Sequence, residues 1–185
     1  MADAHAAHVR RLAEDLQLPL AQLQQRFWDS SRRALDGDHD GALAALAETE
    51  QLRWDWWGRA AMVAIVRVTL LLRAGRVDEL EPLLDAAALV HPGIARDARA
   101  IMLAHRGDLD AARSAFFETT MAAPQDWTWV AATCIHAQAA AACDLPRDLA
   151  DVHSQLRPFA GRIAASGSID AGRVDDYLWH PARIG

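Results

Sequence analysis

Three glycine-centred segments recur along the chain, and their spacing limits it to a stack of helix pairs. They read Gly37-Asp38-His39-Asp40-Gly41-Ala42, Gly75-Arg76-Val77-Asp78-Glu79-Leu80 and Gly107-Asp108-Leu109-Asp110-Ala111-Ala112, with starts 38 and 32 residues apart. Each follows an apolar helical stretch and opens another. The Gly ends one helix, where positive φ costs little. The Asp three residues later sits in the first turn of the next helix, where its charge suits the helix dipole. A degenerate fourth copy starts near Asp144, 37 residues further on. Leu84 and Phe116 lie four residues past Leu80 and Ala112, and Pro92 and Pro124 lie twelve past them. Helix, Gly turn, helix and Pro stop therefore recur as one unit. A period in the thirties with two helices per unit is that of an α-solenoid.

Composition agrees. Of 185 residues, 40 are Ala, and Lys and Asn are absent, so all 19 basic residues are Arg. Ala loses no side-chain entropy in a helix, which tilts the whole chain toward that state. No strand-like alternation stands out, and no linker divides the chain. The expected map is a single domain. An N-terminal helix from His5 to Leu16 falls within residues 1–19. About four helix pairs fill 20–160: Leu20 to Leu35 with Asp40 to Arg53, Trp56 to Arg73 with Asp78 to Val90, Ile94 to Arg106 with Asp110 to Ala122, and Trp127 to Cys143 with Pro146 to Phe159. Residues 161–185 hold four glycines and read as a tail with one short helix at Val174 to Trp179.

The formal net charge of −6 argues against a broad nucleic-acid footprint. The longest apolar run, Ala60 to Leu72, is short and interrupted by Arg67 and Thr69, so no membrane span is expected. The first residues lack the apolar core of a secretory signal. Cys134 and Cys143, nine apart, match neither a metal spacing nor a disulfide framework, and a reduced, cytoplasmic setting fits them. His5 and His8 are three apart on a helix but have no third metal ligand near them, so no metal or other cofactor is expected.

The Gly-x-x-Asp-x-Ala turns with a trailing Pro resemble the tetratricopeptide repeat. A closer likeness rests on Gly75 to Leu84, His91-Pro92-Gly93-Ile94 with Ala98 and Ala100, Pro124 to Trp129, Leu156 to Arg162, and Gly172 to Leu178. Together these resemble the sensor region of large actinobacterial regulators, over roughly Leu12 to Leu178. Those regulators join an ATPase or cyclase-like module and tetratricopeptide-like repeats, often with a LuxR-type helix-turn-helix. The resemblance implies a right-handed superhelix of helix pairs here, and nothing about ATP or DNA. Without Lys there is no P-loop, and no DNA-binding module follows Leu178. The family offers no catalytic residues to carry over.

Candidate binding residues come from the side chains themselves. Seven Trp is a high count, and Trp54, Trp56 and Trp57 stand within four positions, so they cannot all face one way on a helix. Trp57 and Trp127 are the candidates for an aromatic pocket, set against a plain role in packing between Ala-rich helices. First helices of such repeats line the concave groove. Arg67 and Arg99 would make that groove cationic, suited to a carboxylate or an acidic peptide. Thr133 and His136 on the Trp127 to Cys143 helix add polar groups, His136 being the titratable one. No catalytic motif is readable, so binding is expected rather than catalysis. The expected function is a helical-repeat binding module that holds a peptide, a partner protein or a small effector in its groove. The alternative is a stand-alone small-molecule binding or biosynthetic protein with an aromatic-lined pocket. The last helix face could also meet a second copy of the chain through Tyr177 and Trp179.

Overall fold

The structure is a computed structural model that describes residues 2–51, 58–118, 126–167 and 169–179. It is predominantly helical. The α-helices are α1 (Ala2–Asp15), α2 (Pro19–Leu35), α3 (His39–Ala47), α4 (Arg59–Arg73), α5 (Leu84–Ala88), α6 (Pro92–His105), α7 (Leu109–Phe116), α8 (Trp129–Ala142) and α9 (Pro146–Leu156). A short hairpin, β1 (Ile163–Ala165) and β2 (Asp170–Arg173), leads into α10 (Val174–Trp179).

One backbone device ends five helices. At Gly37, Gly75 and Gly107 the φ angle is +85°, +69° and +83°, and Gln17 and Asp144 adopt +52° and +54° without being glycine. In each case the following amide reaches back five residues, as in Asp38 N–H to Arg33 O at 2.9 Å, Arg76 N–H to Leu71 O at 3.0 Å and Leu145 N–H to Ala140 O at 3.0 Å. This Schellman closure satisfies carbonyls that the helix end would otherwise strand. The next helix starts at once. Asp38 and Asp108 cap α3 and α7 by accepting the Gly41 and Ala111 amides. Pro19 and Pro146 instead sit in the first turn of α2 and α9, where a missing N–H costs nothing. The recurring glycine motif is thus a turn of fixed geometry between neighbouring helices.

The second helix of the second pair departs from expectation. In place of a helix from Asp78 to Val90 there are two 3-10 turns, Val77–Glu79 and Glu81–Leu83, and then the short α5. Pro82 is the physical reason, since it has no N–H to give the fourth carbonyl before it. Several other helices stop short of their expected ends, α3 at Ala47 and α9 at Leu156. The expected end of Asp110 to Ala122 lies outside the described residues.

The larger correction is at the C-terminus. Residues 163–165 and 170–173 form an antiparallel hairpin, with Ile163 opposite Arg173 and Ala164 opposite Gly172. It packs against α2, α4 and α8, while α10, at the position foreseen for a helix, packs on α8 and α9. Ala164, Ile169, Ala171, Val174, Tyr177 and Leu178 all belong to the hydrophobic core. Tyr177 is fully buried and its hydroxyl donates to Ala171 O. Alternation was invisible in strands of three and four residues, and the β2 residues are all buried except Arg173. The helix faces expected to form an open groove carry part of the chain itself.

A single guanidinium holds this arrangement. Arg73, at the end of α4, donates to Ala34 O at 2.9 Å and lies 3.4 Å from Asp170 Oδ1. Burial pushes the Asp170 carboxyl up; Arg73, the Gly172 amide, the Ser31 hydroxyl and Arg32 pull it back down. Gly172, with φ +93°, leaves the guanidinium its room: a Cβ there would stand 3.1 Å from Arg73 Nε. Removing one partner of a buried pair strands the other charge and costs about 3–5 kcal/mol. Arg73→Met should therefore lower unfolding free energy by about 3 kcal/mol in a urea melt, and a loss below about 1 kcal/mol would show the pair to be incidental.

Candidate functional site

Buried charge marks the site. On α6, Ile94, Ala98 and Ile101 form the core-facing stripe at helical spacing, and Asp97 takes a place in it. Its side chain is only 3% exposed, so its two oxygens need partners. Arg96 donates to Oδ1 through Nε at 2.9 Å and through a terminal nitrogen at 2.7 Å. His136 of α8 places Nδ1 3.0 Å from Oδ2. A carboxylate accepts only, so His136 carries its proton on Nδ1, and Nε2 holds the lone pair when the ring is neutral. An Arg96 nitrogen also lies 3.3 Å from His136 Nδ1, a close approach of two donors in this tautomer. Phe116 of α7 stacks on the imidazole, with centroids 4.6 Å apart and planes within 5°. The ring is thereby oriented on one edge and braced on one face, yet its side chain keeps 30% of its surface.

A second imidazole stands close by with the opposite tautomer. His91 caps α6: its Nδ1 accepts the Ile94 amide at 3.1 Å. Nε2 must then carry the proton, and it faces Thr128 Oγ1 at 3.3 Å. The Thr128 hydroxyl in turn donates to Asp126 Oδ1 at 2.6 Å, which also takes the Thr128 amide at 2.8 Å. Hydrogen bonds from Thr128 hold the Asp126 carboxyl below its ordinary range. Burial holds His91 below 6.5, with Asp126 opposing that shift. The chain of bonds pins the residues before α8 to the start of α6.

The six candidates taken from the sequence do not converge. Only Thr133 and His136 share an element, α8, and only His136 joins the cluster. Thr133 is buried and its hydroxyl is spent on Trp129 O at 2.7 Å, within the same helix. Trp127 is 67% exposed just before α8. Arg99 points away to Asp85 of α5 at 3.3 Å, a solvated pair. Arg67 is half-buried on α4, and its charge acts on Glu79. Trp57 lies outside the described residues. No described contact joins Arg67 to Arg99. Tyr177 is buried, so of the two residues offered to a second copy only Trp179 is exposed.

The residues that sequence reasoning passed over are Asp97, His91, Thr128 and Phe116. A signal for Asp97 was present, since a lone carboxylate on an apolar helical stripe must find a partner. The cysteines sit apart from this chemistry. Burial lifts the Cys134 thiol to about 12 and the Cys143 thiol to about 11, which keeps both protonated. Among the described residues no group of three or more His, Cys, Asp and Glu side chains could hold a metal ion, and no helix is long and apolar enough to cross a membrane.

The cap on α6 ties stability to pH. The folded His91 takes up a proton less readily than the unfolded chain, so its contribution is whole above about pH 6.5 and is lost as pH falls from there through the lower folded value. A protonated ring also cannot accept the Ile94 amide. His91→Asn keeps a capping acceptor that does not titrate. The difference in melting temperature between wild type and His91→Asn should shift in the variant's favour from pH 7.5 to pH 5.5, two values chosen about one unit either side of the free imidazole. A difference that stays constant across that range would contradict the assignment.

No protein-family model matches the chain, and neither a curated protein nor a solved structure matches it.

Proposed function

We propose that this chain is a tetratricopeptide-like helical-repeat binding module that holds its ligand at His136, where the middles of α6 and α8 meet. The recurring helix-ending turns and the packing of α6 on both α7 and α8 support the repeat reading. The observation that carries the site is the Asp97–His136 pair: a buried carboxylate orients a part-exposed imidazole whose other nitrogen is left for a ligand. Neutral His136 offers an acceptor to a hydroxyl, amine or amide donor; protonated, it offers a donor to a carboxylate. Peptides and small effectors both carry such groups. The hairpin on α2, α4 and α8 favours a ligand that meets α6 and α8 locally over one that runs along the whole groove.

The same pair also favours the second reading, a small-molecule binding or biosynthetic protein. A histidine held by a carboxylate on Nδ1 has the arrangement of an oriented base.

The test is a ligand screen by melting temperature and tryptophan fluorescence, with one panel of acidic peptides and one of small metabolites. A native-state ligand must raise the melting temperature. The expected result is a saturable rise in wild type that His136→Phe abolishes and Arg99→Glu leaves intact. A rise that survives His136→Phe undiminished, or silence from both panels, would contradict the proposal.

A further inference from the structure

We propose that the outer face of α1 is an interaction surface for a second copy of this chain, packed antiparallel, α1 against α1. One side of α1 is taken by its own chain: Ala13 is buried, and Arg10 reaches Asp29 of α2 at 2.6 Å. A separate side carries Val9 and Leu12, three residues apart and so on one stripe. Leu16, whose amide still bonds Leu12 O at 3.0 Å, extends that stripe by a turn. Leu18, between the helices, and Leu20, in the first turn of α2, follow it. All five side chains are between 42 and 61% exposed. Single exposed leucines are ordinary, but five large apolar residues within twelve positions form a patch of the kind that marks an interface. A helix at the edge of a helical-repeat stack needs a polar outer face to stay alone in water, and α1 lacks one.

Charge along one edge of the stripe selects the occupant. His8, Arg11 and Asp15 each stand one residue before Val9, Leu12 and Leu16, so all three border it on the same side, and all three are exposed. Cation precedes anion along this edge. That order is the weaker one within a helix, and it leaves Asp15 in the last turn, where the dipole disfavours a negative charge. Arg11 lies toward His8 instead, with a terminal nitrogen 3.5 Å from Nδ1. An antiparallel second copy complements this pattern. With the pair centred near Leu12, Leu12 meets its own copy at the twofold axis and Val9 meets Leu16 of the second copy. Arg11 then comes beside Asp15 of the second copy, twice by symmetry. A parallel pair would set like charges at the same level. An anionic lipid surface fits less well, because Asp15 borders the apolar stripe. At 14 residues α1 is about 21 Å long. A helix pair of that length sits at the low end of specific interface size, so the dimer is a weak one, with a Kd of roughly 1–100 µM.

Sedimentation equilibrium of the full chain, over concentrations that span this Kd, tests the proposal. A reversible monomer–dimer equilibrium is expected. Leu12→Glu sets two like charges at the axis and should weaken the dimer about a hundredfold. Leu12 is exposed in the single chain, so helicity by circular dichroism should stay unchanged. Asp15→Arg alone should weaken the dimer about tenfold, since two symmetric pairs turn from attraction to repulsion. Arg11→Glu combined with Asp15→Arg should restore it, because the same pair is then present in reverse. A chain that stays monomeric at every concentration would overturn the proposal, whatever else α1 binds. So would a dimer untouched by Leu12→Glu, or one that the single charge reversal weakens and the double reversal does not restore.

Discussion

Arg73 joins three parts of the chain that are far apart in sequence. Its guanidinium takes a carbonyl from the last turn of α2, lies at the end of α4, and meets Asp170 on β2. Without that charge, Asp170 would be a carboxylate in a nearly dry site, and without Asp170 the arginine would be a cation in the same site. Each is tolerable only because of the other. The pair ties the hairpin to the helix pairs that precede it. The hairpin covers apolar surface on α2, α4 and α8 and gives the buried arginine a counter-charge. Gly172 completes the fit, because any side chain there would crowd the guanidinium.

Packing and polarity are divided along the same helices. At the end of α4, Arg73 and Asp170 close the core with charge that is mostly buried. Midway along α6, Asp97 is equally buried but shares its charge with His136, which does reach solvent. The two histidines at α6 show how context sets chemistry. His91 accepts a backbone amide through Nδ1, and a proton there would break the cap. His136 donates through Nδ1 to a carboxylate, and a second proton on Nε2 would be compatible with its partner. Phe116 fixes the plane of the ring in which that proton would sit.

Much of the helical framework was legible in the sequence because turns are local. Gly37, Gly75 and Gly107 act within six residues of themselves, and their spacing carries straight into helix pairs. Asp144 and Gln17 do the same work without glycine, which is why the fourth turn reads as degenerate. Pro82 was equally visible, yet Leu84, four residues past Leu80, suggested a continuous helix over it. The hairpin was not legible, since its strands are short and its stability comes from residues a hundred positions away. The site was half legible. His136 stood out as a titratable group among alanines, but its value depends on Asp97, 39 residues earlier and joined to it only by the packing of α6 on α8. Arg67 and Arg99 were plausible partners by helix assignment alone; the direction of Arg99 is set by Asp85 of α5.

Residues 163–167 and 169–179 are an integral part of the helical core and not a tail laid upon it. Native-state hydrogen exchange tests this directly, since protection follows the free energy needed to expose each amide. The Val174 amide, bonded to Arg162 O, and the Gly172 amide, bonded to Asp170, should exchange as slowly as those in the middle of α4 and α8. Exchange of these two amides well ahead of α4 and α8 would mean that the hairpin opens on its own, and the account built on Arg73 would fail.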